Sequence, residues 1–181
     1  MIGRRVAITS TVSLGFSSIA GCLDTLPGEI GGDGGAGGSN GQSREVVTKY
    51  DEALTTRNDA TTTRDEGVTA FNERNYSDAV DPLETALSGY EDAEDGFAEA
   101  ADLANEIGEE TAADLCEIAV DETALQADAT DAALSAARAA RSDADAETIN
   151  GHIERFRSLR EDAAAIDVAD ADAVASALGL D

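Results

Sequence analysis

The sequence predicts an all-α protein, an antiparallel bundle of about four long helices with a short C-terminal helix. Three observations predict it. Beyond Ser43, apolar residues recur at intervals of three and four, the spacing of one helix face, and not at two. The chain holds 35 alanines, the strongest helix former. Past the same point Pro82 is the only proline, so little interrupts a helical run. Residues 44–181 are enough for one domain with a modest core.

The first helix is expected from a Ser43 cap to about Asn75. Its seam reads Val47, Tyr50, Leu54, Arg57, Thr61, Arg64, Val68, Phe71. The second runs from a Ser77 cap to about Ile107, with Val80, Leu83, Leu87, Tyr90, Glu94, Phe97, Ala101 and Ala104 in its seam. An alternative start has Asp81 as cap, Pro82 at the first position and Glu84 closing a capping box. The third spans about Glu110 to Arg141, with Leu115, Ile118, Glu122, Leu125 and then alanines facing inward. The fourth spans about Asp143 to Ile166 and carries Ile149, Ile153, Phe156 and Leu159. A last short helix covers roughly Ala171 to Leu178. The joints at Asn75-Tyr76, Gly108 and Ser142 are tight, so successive helices should run antiparallel.

Two features of this domain go beyond the pattern. Residues 67–87, GVTAFNERNYSDAVDPLETAL, place Gly67, Tyr76, Ala79 and Ala86 where two helices would meet around a turn. The stretch resembles one tetratricopeptide repeat, and the resemblance implies a hairpin closed by small residues with Tyr76 plugging the turn. Glu91 stands where that repeat usually ends in proline, Pro82 enters the second helix, and no second copy is readable. The expectation is therefore a single repeat-like hairpin within a bundle. Second, Arg57 and Arg64 occupy seam positions where a plain bundle has leucine. Either they lie exposed at the bundle edge, or they meet Glu94 and Glu122, the seam acids of the next two helices. Folding the first hairpin about residue 75 sets Arg57 level with Glu94, which makes Arg57–Glu94 the expected ion pair and leaves Arg64 exposed.

The N-terminus predicts an address. Arg4 and Arg5 precede a charge-free run from Val6 to Gly21, which ends at Cys22. Sixteen residues fall short of the roughly 20 needed to span a bilayer and fit a signal-peptide core. Ile19-Ala20-Gly21-Cys22 resembles the lipobox of lipoprotein signal peptides, and GRRVAI resembles the twin-arginine export signal. The first resemblance implies cleavage after Gly21 and a lipid on Cys22. The second implies export of a folded domain. Residues 22–43 then read as a lipidated, glycine-rich tether with too little apolar surface to fold. Its reach is about 25 Å for a flexible chain.

Charge narrows the partners. The chain has 38 acidic and 12 basic residues, for a net charge of −26. Loss of residues 1–21 would remove Arg4, Arg5 and no acid, making the mature charge −28. Such a surface repels phosphates, which excludes nucleic acid as a partner. Lys49 is the only lysine. Acid-rich, lysine-poor composition together with these signals resembles a haloarchaeal lipoprotein, in which molar salt shrinks the Debye length to about 3 Å and screens self-repulsion.

Nothing predicts catalysis. No nucleophile elbow, phosphate loop, zinc motif or EF-hand loop is readable. His152 is the only histidine and has no histidine or cysteine one turn away, so no metal or cofactor site is expected. Cys116 sits beside Glu117 near the third seam and reads as a small buried residue. The expected function is that of a non-enzymatic interaction or scaffold module, held by lipid on the outer face of the cell membrane and serving a protein partner. A solute- or ion-binding lipoprotein serving a membrane complex is the alternative.

Overall fold

How the helices stop accounts for most of the architecture. The computed structural model describes residues 37–180, with side chains from residue 40. It contains α1 (Gly37–Asn72), α2 (Tyr76–Glu106), α3 (Glu110–Arg141), α4 (Ala146–Ala164) and α5 (Ala171–Ala177), and no strand among the described residues. After α1, α2, α3 and α5 one residue turns left-handed: Arg74 (φ 67°), Gly108 (φ 80°), Asp143 (φ 56°) and Gly179 (φ 67°). At each, the next amide reaches back five residues to a helix carbonyl, as in Asn75 N to Ala70 O at 2.9 Å and Ala144 N to Ala139 O at 3.0 Å. This pairing satisfies carbonyls that a helix end would otherwise orphan and reverses the chain in a few residues. Short reversals make sequential helices antiparallel.

The bounds of α3 match expectation. α5 also keeps its expected span to within a residue, and the bounds of α1, α2 and α4 differ, for local reasons. α1 begins at Gly37, inside the stretch expected to be tether, and Ser43 lies buried within the helix instead of capping it. A helix fixed by packing further along adds one hydrogen bond for each residue it gains, and this carries it into glycine. α1 also stops at Asn72 because Arg74 turns left-handed. That turn feeds straight into α2, so neither Ser77 nor Asp81 is its cap; Asn75 holds that place without a side-chain hydrogen bond. Pro82 is consequently interior to α2, which continues through it. α4 starts at Ala146 because Asp143 is left-handed, and its cap is Asp145, which accepts from Thr148 N at 2.9 Å and from Thr148 Oγ1 at 3.1 Å. These two bonds hold the Asp145 carboxyl below the usual carboxylate range.

The helices pack in chain order: α1 on α2, α2 on α3, α3 on α4, with only slight direct contact between α1 and α3. Small residues set the closest approach. A Cβ on Gly96 would stand 3.0 Å from Ala53 Cβ, and one on Gly89 3.0 Å from Ala60 Cβ. Ala53 and Ala60 are seven residues apart, as are Gly89 and Gly96, so the same contact repeats every two turns. The seam of α1 is accordingly Val46, Tyr50, Ala53, the half-buried Arg57, Ala60, Arg64 and Gly67, and the buried residues of α2 are Ala79, Val80, Leu83, Ala86, Tyr90, Ala93, Phe97, Ala100, Ala101 and Ala104. Alternate members of the expected α1 seam are displaced by one residue, and in α2 Ala86 and Ala93 take the places of Leu87 and Glu94, while Val80 and Ala101 are buried as expected. Val47, Leu54 and Leu87 are only partly buried beside the contact, because at the Ala53–Gly96 and Ala60–Gly89 levels the two helices stand too close for longer side chains between them.

At one end of the bundle Val46, Tyr50, Phe97, Ala112 and Cys116 form an apolar cluster, with Tyr50 and Phe97 ring centroids 5.0 Å apart. α5 closes this end through Val174 and Leu178, and Tyr50 Oη donates to Ala169 O at 2.8 Å. The opposite end is built from Ala79, Val80, Leu83, Leu134 and Ala137, with Phe156 of α4 packed against it.

Candidate functional site

Where α1 and α3 stand apart, long polar side chains fill the space. Arg57 of α1 donates from Nε to Glu122 Oε2 and from Nη2 to Glu122 Oε1, both at 2.6 Å. This is the parallel two-bond fit of a guanidinium to a carboxylate. Glu122 is 2% exposed and Arg57 20%. Burial works against the Arg57 charge, but the Glu122 carboxylate outweighs it, and the Arg57 proton is held more tightly than usual. Gln126, one turn beyond Glu122 on α3, donates from Nε2 to Glu122 Oε1 at 2.8 Å and accepts from Arg64 Nη1. Arg64 is 2% exposed, also reaches Asp65 Oδ1 at 3.1 Å, and places its guanidinium 5.8 Å from the Tyr90 ring centre. Tyr90 Oη and Thr61 Oγ1 are 2.8 Å apart. Burial pushes the Tyr90 phenol above its ordinary range. One network thus ties α1, α2 and α3 together in the middle of the bundle.

The expected Arg57–Glu94 pair does not form. The level was correct: the Ala53–Gly96 and Ala60–Gly89 contacts fold the hairpin between residues 74 and 75. The face was not. At that level small residues close the α1–α2 contact, and Arg57 passes beyond α2 to Glu122 on α3. Arg64, expected in solvent, is buried for the same reason. Gln126, Tyr90 and Thr61 complete the network. Thr61 and Tyr90 stand at expected seam positions; Gln126 could have been found only by noting that two inward arginines need more partners than one carboxylate provides.

Glu94 instead lines a groove of about 750 Å³ that runs over α3 between α2 and the segment after α4. The half-buried Leu87, Leu125 and Ile166 line it together with the exposed acids Glu91, Asp121, Asp128 and Asp131. Burial raises the Glu94 carboxyl's affinity for its proton, and the charges of Asp95, Glu91 and Asp128 add to the effect.

The hairpin residues singled out in sequence meet around the first turn. A Cβ on Gly67 would lie 2.7 Å from Leu83 Cγ and 3.2 Å from Ala79 O. Ala79 and Ala86 are fully buried. Tyr76 opens α2 half-buried, its ring centroid 5.3 Å from that of Phe71. Cys116 is buried without a disulfide partner, and burial, with Glu117 beside it, pushes its thiol up to about 11. His152 lies half-buried on α4. Among the described residues no three histidine, cysteine or acidic side chains are placed to hold a metal ion. None of the described helices is long and apolar enough to cross a membrane. Arg4, Arg5, Ile19, Ala20, Gly21 and Cys22 lie outside the described residues. Compared with known proteins, the chain matches no family model, no curated protein and no solved structure.

Proposed function

We propose that this chain is a lipid-anchored extracytoplasmic scaffold, of the haloarchaeal twin-arginine type with one repeat-like hairpin, that presents a rigid helical body to a protein partner and does no chemistry of its own. The observation that carries the reading is how the inward polar groups are engaged: Arg57 on Glu122, Arg64 on Gln126 and Asp65, Tyr90 on Thr61. Bonded to one another, these groups fix helix register instead of standing ready for a substrate. The address rests on Ile19-Ala20-Gly21-Cys22 and the preceding Arg4-Arg5. Glycine-rich sequence after Cys22 and α1 from Gly37 would then lift the bundle off the bilayer.

A Cys22→Ser variant tests the anchor. The wild-type protein should be cleaved before Cys22, carry the added mass of lipid and sediment with membranes, whereas the variant should lack the lipid and leave the membrane fraction. A mature protein whose N-terminus is uncleaved and unmodified refutes the address. The second reading, a solute- or ion-binding lipoprotein, draws support from the groove over α3. It predicts saturable uptake of a small ligand in equilibrium dialysis.

A further inference from the structure

We infer that the groove over α3 docks a basic amphipathic helix of a partner protein. The inference rests on the scaffold reading and names its partner's chemistry. Its lining joins an apolar set, Leu87, Leu125 and Ile166 with two alanines, to five acids, Glu91 and Glu94 from α2 and Asp121, Asp128 and Asp131 from α3. No basic residue lines the groove. The nearest cation in an ion pair with it is Arg155, 4.0 Å from Asp128 with both side chains well exposed. Elsewhere the exposed acids Glu99 and Glu84 have close partners in Lys49 (2.7 Å) and Arg138 (2.6 Å). Burial, and then the charges of Asp95, Glu91 and Asp128, raise the Glu94 carboxyl's hold on its proton.

Composition alone puts carboxylates on every face of this chain, so the second observation is the apolar one. Ile118, 39% exposed, is the one exposed large hydrophobic among the described residues. It stands two turns before Leu125 on the same face of α3, so the apolar strip runs on past the groove's edge. From Ile118 to Asp131 is about 20 Å at the helical rise, which matches roughly 13 residues of a docked helix. Such a helix would lay its apolar stripe on Leu87, Leu125, Ile166 and Ile118, with flanking lysines or arginines against the acids of α2 and α3, the usual helix-in-groove arrangement. A bare metal ion fits poorly, because no three of these carboxylates converge. A second copy of the chain would bring acids to acids.

The test uses the full-length protein in detergent and molar KCl. The probe is a fluorescein-labelled synthetic helix of 18 residues, with leucines along one stripe and lysine and arginine elsewhere, alongside a twin carrying glutamate at the basic positions. Anisotropy should show saturable binding of the basic helix and none of the twin. Glu91→Gln/Glu94→Gln/Asp121→Asn should weaken binding at least tenfold, and Ile118→Ser at least threefold. Asp51→Asn/Glu52→Gln/Asp59→Asn, an equal charge change on exposed α1 positions, should weaken it less than twofold. Circular dichroism confirms that each variant is folded. Equal loss in the two triple variants, binding of the acidic twin, or no binding of the basic helix overturns the inference. Run with Cys22→Ser protein, the assay separates the two readings: a failed anchor leaves the docking result standing, and failed docking leaves the anchor standing.

Discussion

Removing the guanidinium of Arg57 should cost far more than an ordinary surface change, because of what remains behind. In Arg57→Ala, Glu122 keeps the 2.8 Å bond from Gln126 but loses both 2.6 Å bonds from Arg57, and it has almost no access to water. Breaking a buried pair from one side typically costs about 3–5 kcal/mol. Arg57 is 20% exposed, so water can partly enter its place, and the expected cost lies near the lower end, about 3 kcal/mol. For a domain of this size that is a fall in melting temperature of about 10 °C. Glu122→Ala should cost a similar amount, since it strands Arg57 and frees Gln126 Nε2. The double variant removes both charges, so its cost should fall short of the two singles summed by about 1–3 kcal/mol. Arg57→Lys should recover only part of the loss, because an ammonium cannot reproduce the two parallel bonds. Denaturant unfolding of the four proteins in molar KCl measures the cycle. Single variants within about 0.5 kcal/mol of wild type would place the pair with exposed salt bridges and refute the reasoning.

Other expectations follow from single contacts. Gly67→Ala should destabilise by about 1–3 kcal/mol despite alanine's better helix propensity, because its Cβ would crowd Leu83 and the Ala79 carbonyl, as thermal melts would detect. Arg74→Gly should stabilise by about 1 kcal/mol, since an exposed side chain is held at φ 67° with no compensating contact; an unchanged melting temperature would count against that. The Cys116 thiol, with its pKa pushed up from 9.0 to about 11, should resist iodoacetamide at pH 8 until the protein is unfolded. The folded state then holds this proton more tightly than the unfolded chain, so the thiol's contribution to stability is whole below pH 9 and declines as pH climbs toward 11. At a net charge of −26 in the full chain, helical circular dichroism should be strong in molar KCl and markedly weaker in dilute buffer.

The helical fold was legible because period and punctuation agree. Gly108 ends α2 where a left-handed residue is needed, and α3 begins and ends at its predicted residues. Arg74 and Asp143 take the same left-handed position without being glycine, so the joints were read one residue away, at Asn75 and Ser142, and the end of α1 and start of α4 three residues away. The seam was half legible. Tyr50, Leu83, Tyr90 and Phe97 were correctly read on the inner face, but Arg64 was expected in solvent, and ranking by bulk favoured Leu54 over Ala53 and Val68 over Gly67. The deciding quantity was the distance between helix axes, which a local sequence window does not carry. That distance also decided the network. A closely packed α1–α2 pair sends Arg57 past α2, so its partner lay on a helix 65 residues further along the chain.

The α5 cap has a mechanical consequence. α1 begins, α2 ends and α3 begins near the end closed by Val174, Leu178 and the Tyr50–Ala169 bond. The reversals after α1 and α3 lie at the opposite end. A pull on the chain ahead of α1, resisted by something gripping the far turns, would run parallel to the helix axes. The Ala53–Gly96 and Ala60–Gly89 contacts and the Arg57–Glu122 bridge would then all be loaded together in sliding, instead of one after another in peeling. Under force, the body would yield as a single bolt that shears, and not as a zipper that opens.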